Sequence, residues 1–392
     1  MKTLKRTWAD ISLDNLEYNY RSIRAHLPQG TKFLGVMKAD AYGHGAVPVS
    51  RALADLGAEY LAVSNLEEAV QIRRGEVRLP ILILGYTPAE YAANMIFLDI
   101  TQEVHSLEYA RELNEALAGT NYILNVHLKL DTGMTRIGFF AYDNERTLDE
   151  LRQVAQLPHL HIEGAFMHFC VADSRAEADV SFTKLQYKRF MDMLSAMAGV
   201  GIRPEIRHCC NSGATILYPE FALDMVRPGI ITYGNAPSDE LEGALSLRPM
   251  MSLHSMIAQV RTVPAGTDIS YGRLYRTKEE TRVAVLPIGY ADGLSRLLTG
   301  KASFYLQGHQ VPVIGRICMD MCMIDVSGVP EVKPGDVVTI FGYDDDGTLL
   351  PCERLARAQG TINYELLCQI SKRIPRICHR GAETSQILQY IV

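Results

Sequence analysis

The feature that most constrains this chain is a regular alternation along its first part, up to about residue 240. Short apolar, β-branched runs are separated by segments whose apolar residues recur every three or four positions. The first pattern is typical of buried strands and the second of amphipathic helices, so together they indicate repeated βα units on a parallel sheet. Eight such units predict a (β/α)₈ TIM-like barrel, an α/β fold. The runs are residues 33–37, 60–64, 81–84, 96–100, 123–129, 161–167, 205–208 and 224–232, and the clearest helical segments are 45–56, 65–74, 105–118 and 180–199.

The sequence pattern changes after residue 242. Short strand-like runs broken by Gly and Pro follow one another there, which is typical of antiparallel β structure. A chain of 392 residues suits two domains. We therefore expect a barrel over residues 1–242 and a mostly β C-terminal domain over residues 243–392. The strand-like runs are residues 256–263, 282–288, 311–317, 321–326 and 337–341.

The charge balance limits the kinds of partner. The chain has 45 acidic and 39 basic residues, a formal net charge of -6, so it has no overall positive field to hold nucleic acid or an anionic membrane. No apolar run reaches the roughly 18 residues that a membrane span needs. Lys2, Lys5 and Arg6 precede Trp8 rather than the apolar segment of an export signal. We expect a cytoplasmic protein with a small-molecule partner.

Cysteines and histidines give little sign of metal binding. The eight cysteines are scattered along the chain, which favours reduced thiols over a disulfide framework. His208, Cys209 and Cys210 are adjacent, but no second Cys or His pair stands at ligand spacing. We predict no metal site.

Basic residues follow several of the predicted barrel strands. The loops at the carboxyl ends of such strands build barrel active sites, so polar residues there have an increased chance of a functional role. Lys38 ends the first strand in Val36-Met-Lys38-Ala-Asp40, and an amine there could form an imine if its pKa is depressed. A solvated surface lysine is the alternative. The later strands bring Lys129, Arg136, His168, His208 and Arg227 to the same mouth.

The loops after strands seven and eight suit a phosphate. Ser212 and Gly213 begin a predicted helix, and Gly229 opens the backbone of the neighbouring turn, so backbone N–H groups are available. Barrel phosphate sites often form at this corner. Each motif has an ordinary reading too, since Asn-Ser-Gly is a common helix N-cap and Arg-Pro-Gly a common turn.

Taken in order, a series of motifs along essentially the whole chain resembles the alanine racemases, pyridoxal-phosphate enzymes with a barrel and a β domain. The one departure is Thr232, inserted before Tyr233. The motifs are Val36-Met-Lys38-Ala-Asp-Ala-Tyr42-Gly-His-Gly45, Lys129-Leu-Asp-Thr-Gly-Met134, Arg227-Pro-Gly-Ile-Ile-Thr-Tyr-Gly234, Ser270-Tyr-Gly272, Pro287-Ile-Gly-Tyr-Ala-Asp-Gly293, Gly315-Arg-Ile-Cys-Met-Asp320 and Ile362-Asn-Tyr-Glu365.

The resemblance implies a pair of bases. Lys38 is similar to the lysine that holds pyridoxal 5′-phosphate as an imine and acts on one face of the substrate, and Tyr271 to the base on the other face. Inverting a stereocentre by proton transfer requires an acceptor and a donor on opposite sides of one carbon. A phenol is a weak base unless its pKa is lowered, and the resemblance supplies a supporting chain through His168, Arg227 and His208.

Further roles follow from the same resemblance. Arg227 matches the arginine that faces the pyridine nitrogen, where a permanent cation leaves the ring a weaker electron sink. Arg136 matches a residue near the cofactor phenolate and the substrate carboxylate, and the backbone N–H of Met319 also meets that carboxylate. Lys129 corresponds to a lysine that the family often carries carbamylated, an anionic partner for Arg136. The implied phosphate-binding residues are Tyr42, Ser212, Gly229, Ile230 and Tyr364.

The resemblance also implies a homodimer with shared sites. Four positions match residues that a second subunit contributes near the substrate entry: Tyr271, Tyr290, Cys318 and Asp320. The implied activity is interconversion of L- and D-alanine, which supplies D-alanine for peptidoglycan. A broader-specificity or serine racemase of the same fold remains an alternative, although such enzymes carry an export signal or a membrane domain. Less favoured alternatives are a decarboxylase, whose Gly-rich phosphate loop is not visible here, and a pyridoxal-phosphate carrier built from a lone barrel.

Overall fold

A computed structural model of the chain describes residues 6–142 and 144–391. Lys2 and Lys5, on which the expectation about an export signal rests, lie outside this range. The strands are β1 (Thr7–Ser12), β2 (Lys32–Val36), β3 (Tyr60–Val63), β4 (Ile81–Ile83), β5 (Ile100–Val104), β6 (Leu124–Asp131), β7 (Phe139–Phe140), β8 (Leu160–Phe166), β9 (Ile206–His208), β10 (Met225–Val226), β11 (Met251–Met256), β12 (Gln259–Val263), β13 (Asp268–Ile269), β14 (Tyr275–Arg276), β15 (Thr281–Leu286), β16 (Ser303–Leu306), β17 (His309–Ile314), β18 (Cys322–Asp325), β19 (Val337–Tyr343), β20 (Leu349–Leu350), β21 (Arg376–Arg380) and β22 (Glu383–Leu388). The helices are α1 (Leu13–His26), α2 (Lys38–Tyr42), α3 (Ala46–Asp55), α4 (Leu66–Arg74), α5 (Ala92–Phe97), α6 (Leu107–Ala116), α7 (Asn144–Val154), α8 (Glu177–Gly199), α9 (Ser212–Leu217), α10 (Cys352–Gln359) and α11 (Asn363–Cys368).

The described residues form two compact units, and one of them, residues 16–41 and 49–248, is a barrel. Its parallel strands follow the order β10-β2-β3-β4-β5-β6-β8-β9, with the short β7 beside β6. Between β9 and β10 the Asp224 N–H donates to Arg207 O at 3.1 Å and the Arg227 N–H to Cys210 O at 2.9 Å, so the ring of eight strands is nearly closed. The predicted (β/α)₈ fold is confirmed.

The helices around the barrel form for the reason that the sequence suggests. In α6 the buried residues are Leu107, Tyr109, Ala110 and Leu113, which share one face at helical spacing. Ser106 caps this helix because its hydroxyl accepts a hydrogen bond from the Tyr109 N–H. The predicted helical segments 45–56, 65–74, 105–118 and 180–199 correspond to α3, α4, α6 and α8.

Two predicted strand positions are wrong. Residues 96–100 include the end of α5, and the strand of this unit, β5, starts only at Ile100. The prediction missed it because β5 carries the buried polar residues Gln102 and Glu103 and therefore lacks a continuous apolar pattern. In residues 224–232 only Met225–Val226 is a strand. A short 3₁₀ helix, Ile230–Tyr233, follows, since Pro228 cannot donate to a strand ladder and ends the pairing.

The second unit, residues 6–15, 42–48 and 249–391, is mostly β. Its large sheet has the order β12-β15-β18-β17-β16-β19-β11-β1-β21-β22, with β20 beside β19, and all pairs are antiparallel except β1 with β21. The expected mostly β C-terminal region is confirmed. The sequence does not anticipate that the first strand of the chain, β1, lies in this sheet between β11 and β21.

Candidate active site

The ends of the barrel strands carry the predicted basic residues. Lys38 follows β2, Lys129 lies near the end of β6, His208 ends β9 and Arg227 directly follows β10. Arg136 lies in the turn after β6. Because the strands are parallel, these positions share the carboxyl end of the barrel, as predicted.

Arg227 is the most constrained of these side chains. Its guanidinium is buried and contacts His208 Nδ1 at 2.8 Å through Nη1. The Nη2 atom donates to Met167 O at 2.6 Å and Cys209 O at 3.0 Å, and lies 3.4 Å from His168 Nδ1. Burial lowers the pKa of Arg227 to about 10, so the group remains charged at neutral pH. The structure thus holds a fixed cation between the two predicted histidines.

Phe166 provides the aromatic ring against which His208, Lys129 and Arg227 pack. The His208 ring stacks on Phe166 with centroids 4.9 Å apart and planes 8° apart. Lys129 Nζ lies 5.0 Å and Arg227 Cζ 5.4 Å from the centre of the same ring. Cations favour the electron-rich face of an aromatic ring, so Phe166 partly offsets the cost of burying two of them.

The electrostatics of this cluster of basic side chains favour an anion. Burial, and next the charges of Arg227 and Arg136, lower the pKa of Lys129 to about 7. Burial and the charges of Arg227, Lys129, Arg136 and Lys38 hold the pKa of His168 well below its usual range. Several basic groups therefore converge on one imidazole and keep it neutral. An anionic ligand would relieve their mutual repulsion.

Two backbone segments bring a hydroxyl and an amide together nearby. Ser212 begins α9 after the N-cap Asn211, whose side chain accepts from the Ala214 N–H. The Gly229 N–H donates to Ser212 Oγ at 2.9 Å, and Ile230 follows it as the first residue of the 3₁₀ helix. Ser212 and Ile230 are both buried. This hydroxyl and amide pair beside the cationic pocket suits a phosphate, so a phosphorylated ligand fits the donors present.

Lys38 lies at the start of an unusual turn. Ala39, Asp40, Ala41 and Tyr42 all have φ between 51° and 55°, a left-handed helical conformation that side chains rarely adopt. Glu68 supports the turn, because one carboxylate oxygen accepts from the Ala39 N–H at 2.6 Å and the other from the Ser64 N–H at 2.8 Å. Lys38 itself is exposed in the single chain.

In the β-rich unit, the predicted phenols Tyr42 and Tyr364 are neighbours, with ring centroids 6.0 Å apart. The residues predicted to act on a second subunit gather elsewhere on this unit. Tyr271 is 70% exposed and Met319 53% exposed, and both line an open cavity of about 620 Å³ together with Cys318 and Asp320.

Hydrogen bonds fix the segments of this face. The Tyr290 N–H donates to Cys318 O and the Ala291 N–H to Met319 O, each at 3.0 Å. Gly289 permits this approach, since a Cβ there would lie 2.3 Å from Cys318 O. Arg373 donates to Asp320 at 2.8 Å. The exposed Met319 therefore belongs to a backbone segment that is held by hydrogen bonds on both sides of it.

Comparisons with known proteins decide the family. Residues 11–237 match the family model "Alanine racemase, N-terminal domain" and residues 250–378 match "Alanine racemase, C-terminal domain". The chain belongs to the alanine racemase family. Racemases are isomerases, and the chain is an enzyme of that class.

Individual members of the alanine racemase family are similar to this chain over nearly its whole length. The chain is 46% identical to an alanine racemase of Desulfovibrio desulfuricans, across 94% of this chain and 97% of the relative. It is 40% identical to the solved alanine racemase of Clostridium difficile 630, with a TM-score of 0.93 and complete coverage of both chains. It is 34% identical to that of Bacillus anthracis with bound L-Ala-P, with a TM-score of 0.92, covering 100% and 99% of the two chains.

Three polar residues of the barrel strands were not predicted from the sequence. His127, on β6, contacts His208 Nε2 at 2.9 Å, and Glu163, on β8, contacts His127 Nε2 at 3.0 Å. Glu103, on β5, is buried with its Oε2 lacking a hydrogen-bond partner. The sequence offers a signal only for His127: it is a polar residue two positions before Lys129, and alternate residues of a strand share a face.

The described residues contain neither a membrane-spanning helix nor a cluster of metal-binding side chains. Within residues 6–142 and 144–391, no helix is long and apolar enough to cross a bilayer. The same residues contain no group of three or more His, Cys, Asp and Glu side chains suited to holding a metal ion.

Proposed function

We propose that this protein interconverts L- and D-alanine with pyridoxal 5′-phosphate, using Lys38 on one face of the substrate and Tyr271 of a second copy on the other. The observation that carries the proposal is the buried Arg227, held by His208 and two carbonyls beneath a cluster of basic groups. That cluster suits an anionic cofactor, and the family membership supplies its identity. The bound cofactor would supply the electron sink that makes the α-proton of alanine acidic.

The residues that match the cofactor positions of the family would hold the cofactor. Ser212 Oγ and the Gly229 N–H, which lie 2.9 Å apart, would turn to the phosphate together with Ile230. Tyr42 and Tyr364 would add phenol donors. Arg227 would face the ring nitrogen, and because its pKa of about 10 keeps it protonated, it would not take up or release a proton during the reaction.

The proton transfers require opposite faces of one carbon. Lys38, at the start of the left-handed turn, would take or return the proton on one face. Tyr271 would do so on the other, and the neutral His168 beside Arg227 would support the phenol. The 70% exposure of Tyr271 in the single chain suits a residue that acts on a second copy.

Substrate binding would use a charge and a backbone amide. Arg136 and the Met319 N–H would hold the alanine carboxylate, and Met319 and Tyr364 would leave room for a methyl group. Tyr290, Cys318 and Asp320 would line the entry in a homodimer with two shared sites. Cytoplasmic residence and supply of D-alanine for peptidoglycan are proposed with the activity, from the family.

The state of Lys129 belongs to this proposal. A pKa of about 7 leaves a substantial share of its amine neutral at physiological pH, and the neutral amine is the form that reacts with carbon dioxide. A carbamate at Lys129 would turn the positive neighbour of Arg136 into a negative one. We therefore propose that Lys129 is carbamylated in the working enzyme.

The test is incubation of the purified holoenzyme with L-alanine in heavy water. We expect loss of the α-proton signal together with decay of optical rotation, without release of carbon dioxide. A Lys38→Ala variant is the control and should show neither change. Retention of both α-proton and rotation by the unmodified enzyme would refute the racemase activity. Carbon dioxide release would indicate the decarboxylase alternative, and equal turnover of L-serine would indicate the broader-specificity racemase.

A further inference from the structure

A line of hydrogen-bonded side chains continues from Arg227 into the interior of the barrel. We call Arg227, His208, His127 and Glu163 the relay. Arg227 Nη1 lies 2.8 Å from His208 Nδ1, His208 Nε2 lies 2.9 Å from His127 Nδ1, and His127 Nε2 lies 3.0 Å from Glu163 Oε2. The first three side chains are buried, and Glu163 is partly exposed at the far end.

Donor and acceptor capacity gives the relay one direction. A guanidinium can only donate, so His208 Nδ1 must accept, and the proton of neutral His208 is then on Nε2. His127 Nδ1 accepts that proton in a hydrogen bond, which places the proton of His127 on Nε2 and directs it to the carboxylate. Each imidazole is thereby restricted to its Nε2–H tautomer.

The charges agree with this arrangement. Burial lowers the pKa of His127 and holds that of His208 well below its usual range, so both rings are neutral. Burial alone would raise the pKa of Glu163, but hydrogen bonds from His127 and Tyr60 more than offset it, and the pKa is lowered. The Tyr60 hydroxyl donates to Glu163 at 2.8 Å. The relay therefore has a cation at one end and an anion at the other.

The backbone is shaped to permit the relay. The pairing of β6 with β8 shifts between Val126 and His127, so that Val126 is opposite Ile162 and His127 is opposite Gly164. Glu163 is the extra residue of this bulge, and bulges turn a side chain away from its regular direction. Gly164 leaves space for the imidazole, because a Cβ there would lie 2.5 Å from the His127 ring.

Arg227 has no carboxylate among its direct partners in the described residues. Within the described part of the chain it makes no ion pair, and its direct partners are two histidines and backbone carbonyls. A buried cation requires compensation. Glu163 can provide it only through His127 and His208.

We propose that Glu163 and His127 are positioning residues for Arg227, which fix the tautomer of His208 and thereby hold the guanidinium charged and in one orientation toward the cofactor. The effect on catalysis rests on the proposed function, whereas the assignment of the two histidine tautomers does not. Without the anion, His208 could present an N–H to Arg227, and two donors would face each other.

The first test is ¹⁵N NMR of the histidine side chains in the apoprotein and in the pyridoxal-phosphate holoenzyme, at neutral pH and without substrate. Single-site variants at His127 and His208 assign the signals. We expect both rings as Nε2–H tautomers in the unmodified protein. A stable Nδ1–H tautomer at His208 would overturn the proposal whether or not the protein racemises alanine.

The second test compares Glu163→Gln with Glu205→Gln, an exposed carboxylate in the loop before β9. In Glu163→Gln we expect tautomer exchange at His127 and His208, a change in the pH dependence of the cofactor absorbance, and a kcat about tenfold lower, the loss typical of one hydrogen bond to a charged group. KM for alanine should change less than about twofold, since the relay does not touch substrate. The control should change none of these.

Gly164→Ala provides an independent variant, because it keeps every polar group and displaces only the His127 ring. It should reproduce the tautomer exchange and the fall in kcat. Glu163→Asp keeps the anion and should recover part of kcat. If Glu163→Gln folds and leaves the histidine spectra and kcat unchanged, the relay has no positioning role and the proposal fails. If the unmodified protein does not act on alanine, the proposed function fails, and the NMR spectra alone decide the relay.

Discussion

Lys129 Nζ lies 5.0 Å from the centre of the buried Phe166 ring, and Arg227 Cζ lies 5.4 Å from the same centre. This placement explains why the pKa of the lysine falls to about 7, since both burial and the neighbouring cations disfavour its charged form. The amine is therefore partly charged and partly neutral near neutral pH. Which state it occupies depends on the anions nearby, Asp131 and Glu103.

Replacing Glu103 should change the state of Lys129. Its buried carboxylate favours the ammonium of Lys129 and opposes a second anion beside it, so Glu103→Gln should raise the share of carbamylated Lys129 severalfold. The measurement is the carbamate signal in ¹³C NMR with labelled bicarbonate. Glu108→Gln, on the exposed surface of α6, is the matched control, and Lys129→Ala should remove the signal. A weaker signal in Glu103→Gln than in the unmodified protein would contradict this electrostatic account.

Arg227→Lys should damage both stability and activity. Lysine has one side-chain nitrogen, which cannot occupy both the Nη1 position beside His208 Nδ1 and the Nη2 position beside Met167 O and Cys209 O, so at least one charge-assisted hydrogen bond is lost. We expect the free energy of unfolding to fall by about 2 kcal/mol and kcat by more than about tenfold. Urea unfolding of the apoprotein and racemisation rates measure the two effects. Arg207→Lys, at a partly exposed pair with Asp224, should lose less than about 1 kcal/mol; an equal loss in both variants would argue against the special role of Arg227.

Stability should depend on pH through the buried histidines. The pKa values of His127 and His208 are lowered in the folded state, so below a pH of about 6.5 the unfolded chain binds protons that the folded chain does not. The free energy of unfolding should then fall by up to about 1.4 kcal/mol per pH unit for each histidine. Urea unfolding at pH 7.5 and 5.5 tests this. His127→Gln should reduce the pH dependence and the exposed His161→Gln should not, and a flat profile in the unmodified protein would be inconsistent with neutral buried imidazoles.

Tyr271→Phe should separate the two faces of the substrate. The phenyl ring keeps the shape of the exposed side chain but has no proton to exchange, so bound cofactor should be retained while α-proton exchange from L-alanine falls at least about a hundredfold. Exchange from D-alanine should fall much less. Separate exchange rates for the two enantiomers in heavy water give the comparison, with Tyr275→Phe as a control. An equal fall for both enantiomers would remove the division of roles between Lys38 and Tyr271.

The sequence predicts most of the barrel because its strands are short and apolar. Residues 60–64 contain β3, whose four residues are all buried, and the apolar pattern alone is enough there. The apolar pattern does not locate β5, because Gln102 and Glu103 in this strand are buried polar residues and the end of α5 supplies the apolar residues nearby. Polar interiors are therefore hidden from an argument based on hydrophobic pattern.

Some residues of the candidate site could be predicted from the sequence and others could not. Positions at strand ends, such as Lys129 and His208, follow from the predicted fold, and the roles given to them follow from the family resemblance. His127 and Glu163 could not be predicted in this way, because a one-residue bulge in β8 decides which side chain enters the barrel. A bulge depends on pairing between distant segments and has no local signature here.

The central claim is a site that combines Lys38 of one copy with Tyr271 of another, and mixed dimers test it most directly. Lys38→Ala and Tyr271→Phe homodimers should each be nearly inactive. After the two variants are unfolded and refolded together in equal amounts, half of the dimers should be mixed, and one site in each mixed dimer should hold both intact residues. We expect recovery of roughly a quarter of the unmodified activity. No recovery, with mixed dimers demonstrated by mass, would contradict it.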